Sequence, residues 1–385
     1  MTRVYLDYNA TAPVRPEAAE AVARALATGG NPSSVHSAGR AARALLEQAR
    51  EQVAALVKAR PQDLVFTSGG TEANNLAIES AALSGEVTRL IVSAVEHPSV
   101  LESGMATRLP IETWPVTADG AADLNWLRER LARWSEADGR PFAALMLANN
   151  ETGVIQPVVE AAELLHTAGG WLHVDAVQAA GKTPIEAYAL GADTLALSAH
   201  KLGGPMGSGA LVVCCGLELS RRINGGGQER GRRGGTENLS GIAGFGAAAQ
   251  AAGRDLDKLM AQAAWRDAAA GRLRREAGAV ILGEAAPRLA NTLCFAAPGF
   301  SSELQVMALD LAGVLISSGA ACSSGKVKAS HVVEAMGRSD LATCAVRVSS
   351  GWASTEADWN AFADAWLEAH ARHAARTKPR MAEAV

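Results

Sequence analysis

The feature that most limits how this chain can fold is a regular alternation. Short, almost wholly apolar runs alternate with segments of helical spacing from residue 15 to about residue 255. LVFTS (64–68), RLIVS (89–93), AALMLA (143–148), WLHVD (171–175), DTLALS (193–198) and GALVV (209–213) are continuous runs, not alternating ones. Continuous apolar runs of this length read as strands covered on both faces. Segments 37–58, 71–84, 123–135 and 157–168 carry apolar residues at helical spacing between them. Strand–helix–strand succession needs crossover connections, and these imply a mostly parallel sheet flanked by helices. A glycine- and arginine-rich stretch, NGGGQERGRRGGTEN (224–238), breaks the pattern as a loop. Beyond it an alanine-rich segment predicts one long helix over 240–276. Strands at 291–297, 313–316 and 345–349 then mix with helices near 301–311 and 355–375. The reading is an α/β chain in two parts. Residues 15–255 form a large domain, and residues 1–14 with 256–385 form a smaller α+β domain.

Composition removes several alternatives. With 48% apolar residues the chain can bury a substantial core. A formal net charge of −4 argues against nucleic acid or an acidic membrane surface as partner. No run of eighteen apolar residues occurs; the best candidate, 304–322, is interrupted by Gln305, Asp310, Ser317 and Ser318. The opening MTRVYLDYNATAP lacks an apolar signal core, so a cytoplasmic location is expected. Five cysteines without a CxxC pair point to neither a disulfide framework nor a zinc site. Cys214, Cys215, Cys294 and Cys344 lie in apolar runs and read as small buried hydrophobes. Cys322 differs, because it lies in SSGAACSSGK, a small-residue stretch that reads as loop.

Open α/β sheets collect ligands at the carboxyl ends of their strands, so the residues that follow each strand matter most. After LVFTS come Gly69, Gly70 and Thr71 at the start of a helix, where free amides and the helix dipole favour an anion. Glu96 and His97 follow RLIVS, Asn149 and Asn150 follow AALMLA, and Asp175 follows WLHV with Gln178 three residues on. Ser198, His200 and Lys201 follow DTLAL. Singly, each is ordinary: a glycine turn, a helix cap, a surface lysine. Jointly they suit one ligand carrying a phosphate, a pyridinium ring and an aldehyde, which is pyridoxal 5′-phosphate.

The stretches YLDYNATAPVRPE, GNPSSVH, TSGGTEANN, EHPSV, NNETGV, HVDAVQAAGK, SAHKLGGPMGSGAL, GGGQERGRRGGTEN and SSGAACSSG carry a family resemblance spanning residues 5 to 325. The chain resembles the fold-type I enzymes of the class V aminotransferase group, with the aspartate-aminotransferase-like architecture, and specifically the cysteine desulfurases with a long cysteine loop. The resemblance implies that Lys201 holds the cofactor covalently. It implies that Asp175 faces the ring nitrogen, Gln178 the phenolic oxygen, and His97 the ring face, where it assists proton transfer. Gly70, Thr71, Ser198 and His200 would hold the phosphate. Thr236 would reach the phosphate of a partner subunit, which implies a homodimer. Asn150 and Arg347 would bind the substrate carboxylate, for which the planar guanidinium is suited. Cys322 would accept sulfur from L-cysteine as a persulfide and pass it to an acceptor protein, with iron–sulfur cluster assembly the leading destination. Lys326 and Lys328 are candidates, by sequence proximity alone, for favouring its thiolate. Trp352 and Cys344 stand where the family more often has a polar residue and a serine.

Two other readings stay open on sequence grounds. An aminotransferase or selenocysteine lyase would use the same Lys201, Asp175 and His97, and only the Cys322 segment speaks for desulfuration. The arginine–glycine stretch could instead bind RNA, although no aromatic residue interleaves its arginines. An ordered subunit-interface loop is the competing account.

Overall fold

The computed structural model describes residues 3–318 and 329–377. The strands are β1 (Val4–Tyr5), β2 (Leu64–Thr67), β3 (Leu90–Ser93), β4 (Ile111–Trp114), β5 (Phe142–Met146), β6 (Trp171–Asp175), β7 (Thr194–Ser198), β8 (Gly209–Val213), β9 (Val280–Ile281), β10 (Thr292–Ala296), β11 (Val314–Leu315) and β12 (Ala345–Ser349). The helices are α1 (Pro16–Thr28), α2 (Ser37–Leu56), α3 (Gly70–Leu83), α4 (Pro98–Ala106), α5 (Leu124–Ala132), α6 (Val158–Thr167), α7 (Leu239–Arg254), α8 (Leu256–Ala261), α9 (Ala263–Ala277), α10 (Ser302–Leu311), α11 (His331–Ala335) and α12 (Glu356–Thr377).

A seven-stranded sheet in the order β2-β8-β7-β6-β5-β3-β4 organises the first two-thirds of the chain. Only β8 runs against the rest, pairing antiparallel with both β2 and β7. The cause is local: residues 199–208 join β7 to β8 directly, and so short a link cannot cross over to a parallel neighbour. Strands β5, β6 and β7 are buried along their whole length, as their unbroken apolar runs require. The large core around this sheet includes Phe66, Trp114, Leu145, Leu172, Leu197 and Phe245.

The later part of the chain builds a three-stranded antiparallel sheet, β12-β10-β9. Strand β1 pairs in parallel with β11, with Val4 opposite Val314. A second cluster, with Leu6, Phe295, Trp359, Phe362 and Trp366, lies beneath that three-stranded sheet. Phe295 meets Trp366 edge-on at 5.1 Å.

Three expectations need correction. The single helix expected over 240–276 is three helices, broken at Asp255 and Gln262. Tertiary contacts hold both breaks: Arg15 Nη1 donates to Asp255 Oδ2 at 2.6 Å, and Gln262 bonds to Ser350 and to the Gly351 carbonyl. Strand β4 was not expected, because it is a half-exposed edge strand and lacks a continuous apolar run. Cys215 is exposed, since β8 has already ended at Val213; Cys214, Cys294 and Cys344 are buried as expected. Among the described residues no helix is long and apolar enough to cross a membrane.

Candidate active site

Strands β2, β3, β5, β6 and β7 point the same way, so the turns after them meet at one edge of the sheet. Asp175, the last residue of β6, is held from both sides there. Asn74 Nδ2 donates to its Oδ2 at 2.8 Å, and the Val177 amide donates to its Oδ1 at 2.9 Å. The second hydrogen of Asn74 Nδ2 goes to Ser99 Oγ at 2.9 Å, so Asn74 Oδ1 must accept. It does so from His173 Nε2 at 3.0 Å. Burial pushes the His173 imidazole down to about 3, so the ring is neutral with its proton on Nε2, and its Nδ1 faces the Thr194 hydroxyl at 2.8 Å. A chain of fixed polarity therefore runs from Thr194 through His173 and Asn74 to Asp175.

His97 caps α4. Its Nδ1 accepts from the Ser99 amide at 3.1 Å and lies 2.9 Å from the Ser99 hydroxyl. With Nδ1 engaged as an acceptor, the neutral ring carries its proton on Nε2. Burial holds the His97 ring below its ordinary value; Asp175 opposes this, and Lys201 and His331 reinforce it. The neighbouring Glu96 is completely enclosed. Its Oε1 accepts from the Met146 amide at 2.5 Å, and its Oε2 has no partner among the described residues. Burial first, and Asp175 second, raise its carboxyl well above the usual range.

Lys201 closes a single 3-10 turn after β7. Its Nζ donates to the Asn9 carbonyl at 2.7 Å and to the Ala10 carbonyl at 2.8 Å. Burial lowers its amine to about 8, with Arg347 the next cause, while Asp7 and Asp175 pull the other way. His200 beside it is brought down to about 4 by burial, then by Lys201 and Lys182, and its Nδ1 lies 3.2 Å from Thr11 Oγ1.

At the N-terminus of α3, Gly69 and Gly70 leave the first amides without a side-chain cap. A methyl at Gly70 would lie 2.7 Å from Val177 Cγ2 and 3.5 Å from Ser198 Cβ, so glycine keeps this corner open. Thr71 is exposed at the same helix end, and Ser198 is buried behind it. Arg347 arrives from β12. Its Nη2 donates to Asp7 Oδ1 at 2.6 Å and its Nη1 to the Asn150 carbonyl at 3.1 Å, while its buried Nε has no partner among the described residues. Thr236 is exposed and lines a cleft with Thr67, Ser68 and Gly207. Cys322, Lys326 and Lys328 lie outside the described residues.

The chemistry of this donor set matches the expected cofactor. An uncapped helix start suits its phosphate, a twice-supported carboxylate its ring nitrogen, and an enclosed amine without a carboxylate partner its aldehyde. The described cysteines are poor alternatives to Cys322. Burial pushes the Cys214 thiol up to about 12 and the Cys294 thiol higher still, and burial with Asp193 raises Cys215.

Sequence reasoning gave no role to Asn9, Asn74, Glu96, His173 or Lys182. Asn9 is a junction. Its carbonyl accepts from Lys201 and from Gln178, its Oδ1 from Lys182, and its Nδ2 donates to Thr292 and to the Asn150 carbonyl. All five lie inside the stretches that carried the resemblance, so a search for polar residues within them would have found them. Trp352 donates to the Pro13 carbonyl at 3.0 Å, and the Arg15 guanidinium sits 5.2 Å from its ring centre.

Comparison with known proteins adds three likenesses and one family. Residues 4–362 match the family Aminotransferase class-V. The cysteine desulfurase of Cereibacter sphaeroides is 44% identical over 345 residues, 87% of this chain and 87% of that protein. Cysteine desulfurase IscS of Dictyoglomus turgidum is 38% identical, over 93% of this chain and 92% of the other. The crystallised NifS-like protein of Rickettsia africae superposes with a TM-score of 0.88 at 31% identity, over 96% of this chain and 99% of its own.

Proposed function

The chain belongs to the class V aminotransferase family and, within it, to the cysteine desulfurases, and from that premise we propose the following reaction. L-Cysteine is converted to L-alanine, and its sulfur passes to Cys322 as a persulfide. Written out, the substrate's Cβ–S bond breaks, an S–S bond to Cys322 forms, and Cβ gains a hydrogen, so two thiols yield one methyl and one persulfide. The observation that carries the reading is the enclosed Lys201 amine, lowered to about 8, at the same sheet edge as the doubly held Asp175 carboxylate.

Pyridoxal phosphate, when bound, supplies an electron sink for carbanion chemistry at the amino acid's α carbon. The protein's own residues do the rest. Lys201 sheds its proton close to neutral pH, so its amine is available both to hold the cofactor and to be displaced. Asp175, kept in place by Asn74 and the Val177 amide, keeps a ring nitrogen charged. Gly70, Thr71, Ser198 and His200 would hold the phosphate at the start of α3. Gln178 would offer its carboxamide N–H to the phenolic oxygen. His97 passes a proton through Nε2, its Nδ1 being committed to the α4 cap. Arg347 and Asn150 would hold the substrate carboxylate, the planar guanidinium matching its two oxygens. The acceptor of the sulfur is a protein in iron–sulfur cluster assembly, and the setting is cytoplasmic. The division at residues 255–256 into a large and a small domain is supported by the separate aromatic cluster under β10 and β12.

Assays of alanine and sulfide on incubation with L-cysteine and a thiol test this reading. Wild type is expected to form both in equal amounts, with a persulfide on Cys322 found by alkylation and mass spectrometry. Cys322→Ser is expected to bind the cofactor normally and release neither. If Cys322→Ser instead converts amino acid to keto acid at the wild-type rate, the reaction is transamination.

A further inference from the structure

The fully buried amine of Lys182 has no carboxylate among its hydrogen-bond partners. Its Nζ donates to Gln178 Oε1 at 2.6 Å and to Asn9 Oδ1 at 2.8 Å. Burying a lysine costs far more than burying an apolar chain of the same length, so an amine kept here without an ionic partner calls for a reason. Burial, with Lys201 and Arg347 nearby, also drives it well below its ordinary value.

The local backbone aims it. The turn after β6 bonds Ala180 N to the Ala176 carbonyl and Lys182 N to the Ala179 carbonyl, which puts Gln178 and Lys182 four residues apart on one side. Gly181 between them has φ +70, and a methyl there would lie 2.9 Å from both Ala252 and Leu202. Glycine alone lets the chain turn Lys182 inward at this point.

A carboxamide has two ends of opposite character, and the Lys182 amine donates to the oxygen end of each amide beside it. Lys182 therefore captures the oxygen of Gln178 and leaves the nitrogen end to face outward. That nitrogen, Nε2, donates to the Asn9 carbonyl at 2.8 Å, the same oxygen that receives the Lys201 amine at 2.7 Å. The same logic sets Asn9: with its Oδ1 taken by Lys182, its Nδ2 is directed to Thr292 and to the Asn150 carbonyl.

We propose that Lys182 is a positioning residue, which fixes the Gln178 carboxamide with its N–H end toward Lys201 and the bound cofactor. The proposal rests on the reading of Lys201 and Gln178 given above. Without Lys182 the amide oxygen loses its donor and only the Asn9 carbonyl still opposes a turn; a turned amide would set its carbonyl end against the cofactor's phenolate, where a donor would stabilise it. The test is a spectrophotometric pH titration of the bound cofactor in purified holoenzyme, together with its dissociation constant. Loss of a donor to the phenolate favours the protonated chromophore. Lys182→Met is thus expected to remain yellow and to raise the midpoint by about one pH unit, the size of one neutral hydrogen bond. Lys182→Gln keeps polar atoms in the pocket and guards against loss of fold. Its amide can offer either end to Gln178, so a smaller rise in the same direction is expected. In a Gln178→Ala background, Lys182→Met is expected to add less than 0.3 units, roughly the limit of non-interacting changes, because the group it orients is gone. An unchanged midpoint in whichever Lys182 variant folds, or equal shifts with and without Gln178, overturns the proposal. Borohydride reduction of wild type followed by peptide mapping keeps the two levels apart. A cofactor not linked to Lys201 defeats the underlying reading, whereas a linked cofactor with insensitive Lys182 variants defeats only this one.

Discussion

His173 shows how a residue that never touches substrate can set the pH range of the molecule. Its folded value of about 3 lies below the ordinary value of 6.5 for an exposed histidine. The unfolded chain therefore binds a proton in the interval between them, and the folded chain does not. The sign follows: stability from this group is complete above about pH 6.5 and is lost as pH falls toward 3. His200, at about 4, acts in the same direction over a narrower interval. Thermal unfolding of the apoprotein between pH 4 and 6.5 is expected to show a steep rise with pH. His173→Gln is expected to reduce that slope by about one proton, or about 1.4 kcal/mol per pH unit. An identical slope in the variant would mean that the ring is protonated in the native protein.

At the scale of elements, the loop at 224–238 shows why its composition is a poor guide to its use. Its arginines are spent on the protein itself. Arg233 forks onto Glu72 at 2.9 and 3.3 Å, and Arg230 and Arg232 donate to the Gln62 carbonyl. Glu229 is buried and receives both terminal nitrogens of Arg50 at 2.8 Å, while also accepting from the Phe66 amide. Glu229 and Arg230 have φ of 47 and 57, a left-handed conformation that neither residue type favours, so the contacts of Glu229 hold the turn. These contacts support an ordered loop over an RNA-binding one. Glu229→Leu alone takes away the bidentate partner of buried Arg50, leaves it Glu47 and the Leu64 carbonyl, and is expected to cost about 3 kcal/mol in denaturant unfolding. The double variant with Arg50→Met is expected to recover much of that loss. If the single and double variants are equally unstable, the pair is not what holds the loop.

For the whole molecule, the N-terminal segment works as a strap. Strand β1 pairs with β11, and Asn9 bonds to Gln178, Lys182, Lys201 and Thr292, so residues from both ends of the chain meet at the site. Thr236 is exposed at the rim of its cleft, where a second copy could reach it. The active unit is expected to be a symmetric homodimer, sedimenting at twice the 39.8 kDa of one chain. Full activity from a monomer at assay concentration would remove the role given to Thr236.

Much of this was legible before any coordinates. Period and continuity of apolar residues are local properties, and they located six strands of the main sheet and the helices between several of them. Polar residues after buried strands must gather at one edge once the strands are parallel, so Asp175, Lys201 and His97 could be placed together by topology alone. Other features depend on partners far away in sequence. The edge strand β4 has no apolar run to announce it, and the breaks at Asp255 and Gln262 come from Arg15, Ser350 and Gly351. Cys215 is exposed because the sheet ends two residues earlier. Nothing in the local sequence marks Lys182 as buried, and only the fold, by bringing Asn9 across 173 positions, encloses it. Local spacing thus determined the architecture and the residue types at the sheet edge. Tertiary structure decided which of them are desolvated and which atom each one donates to, because burial and hydrogen-bond polarity are properties of the assembled neighbourhood.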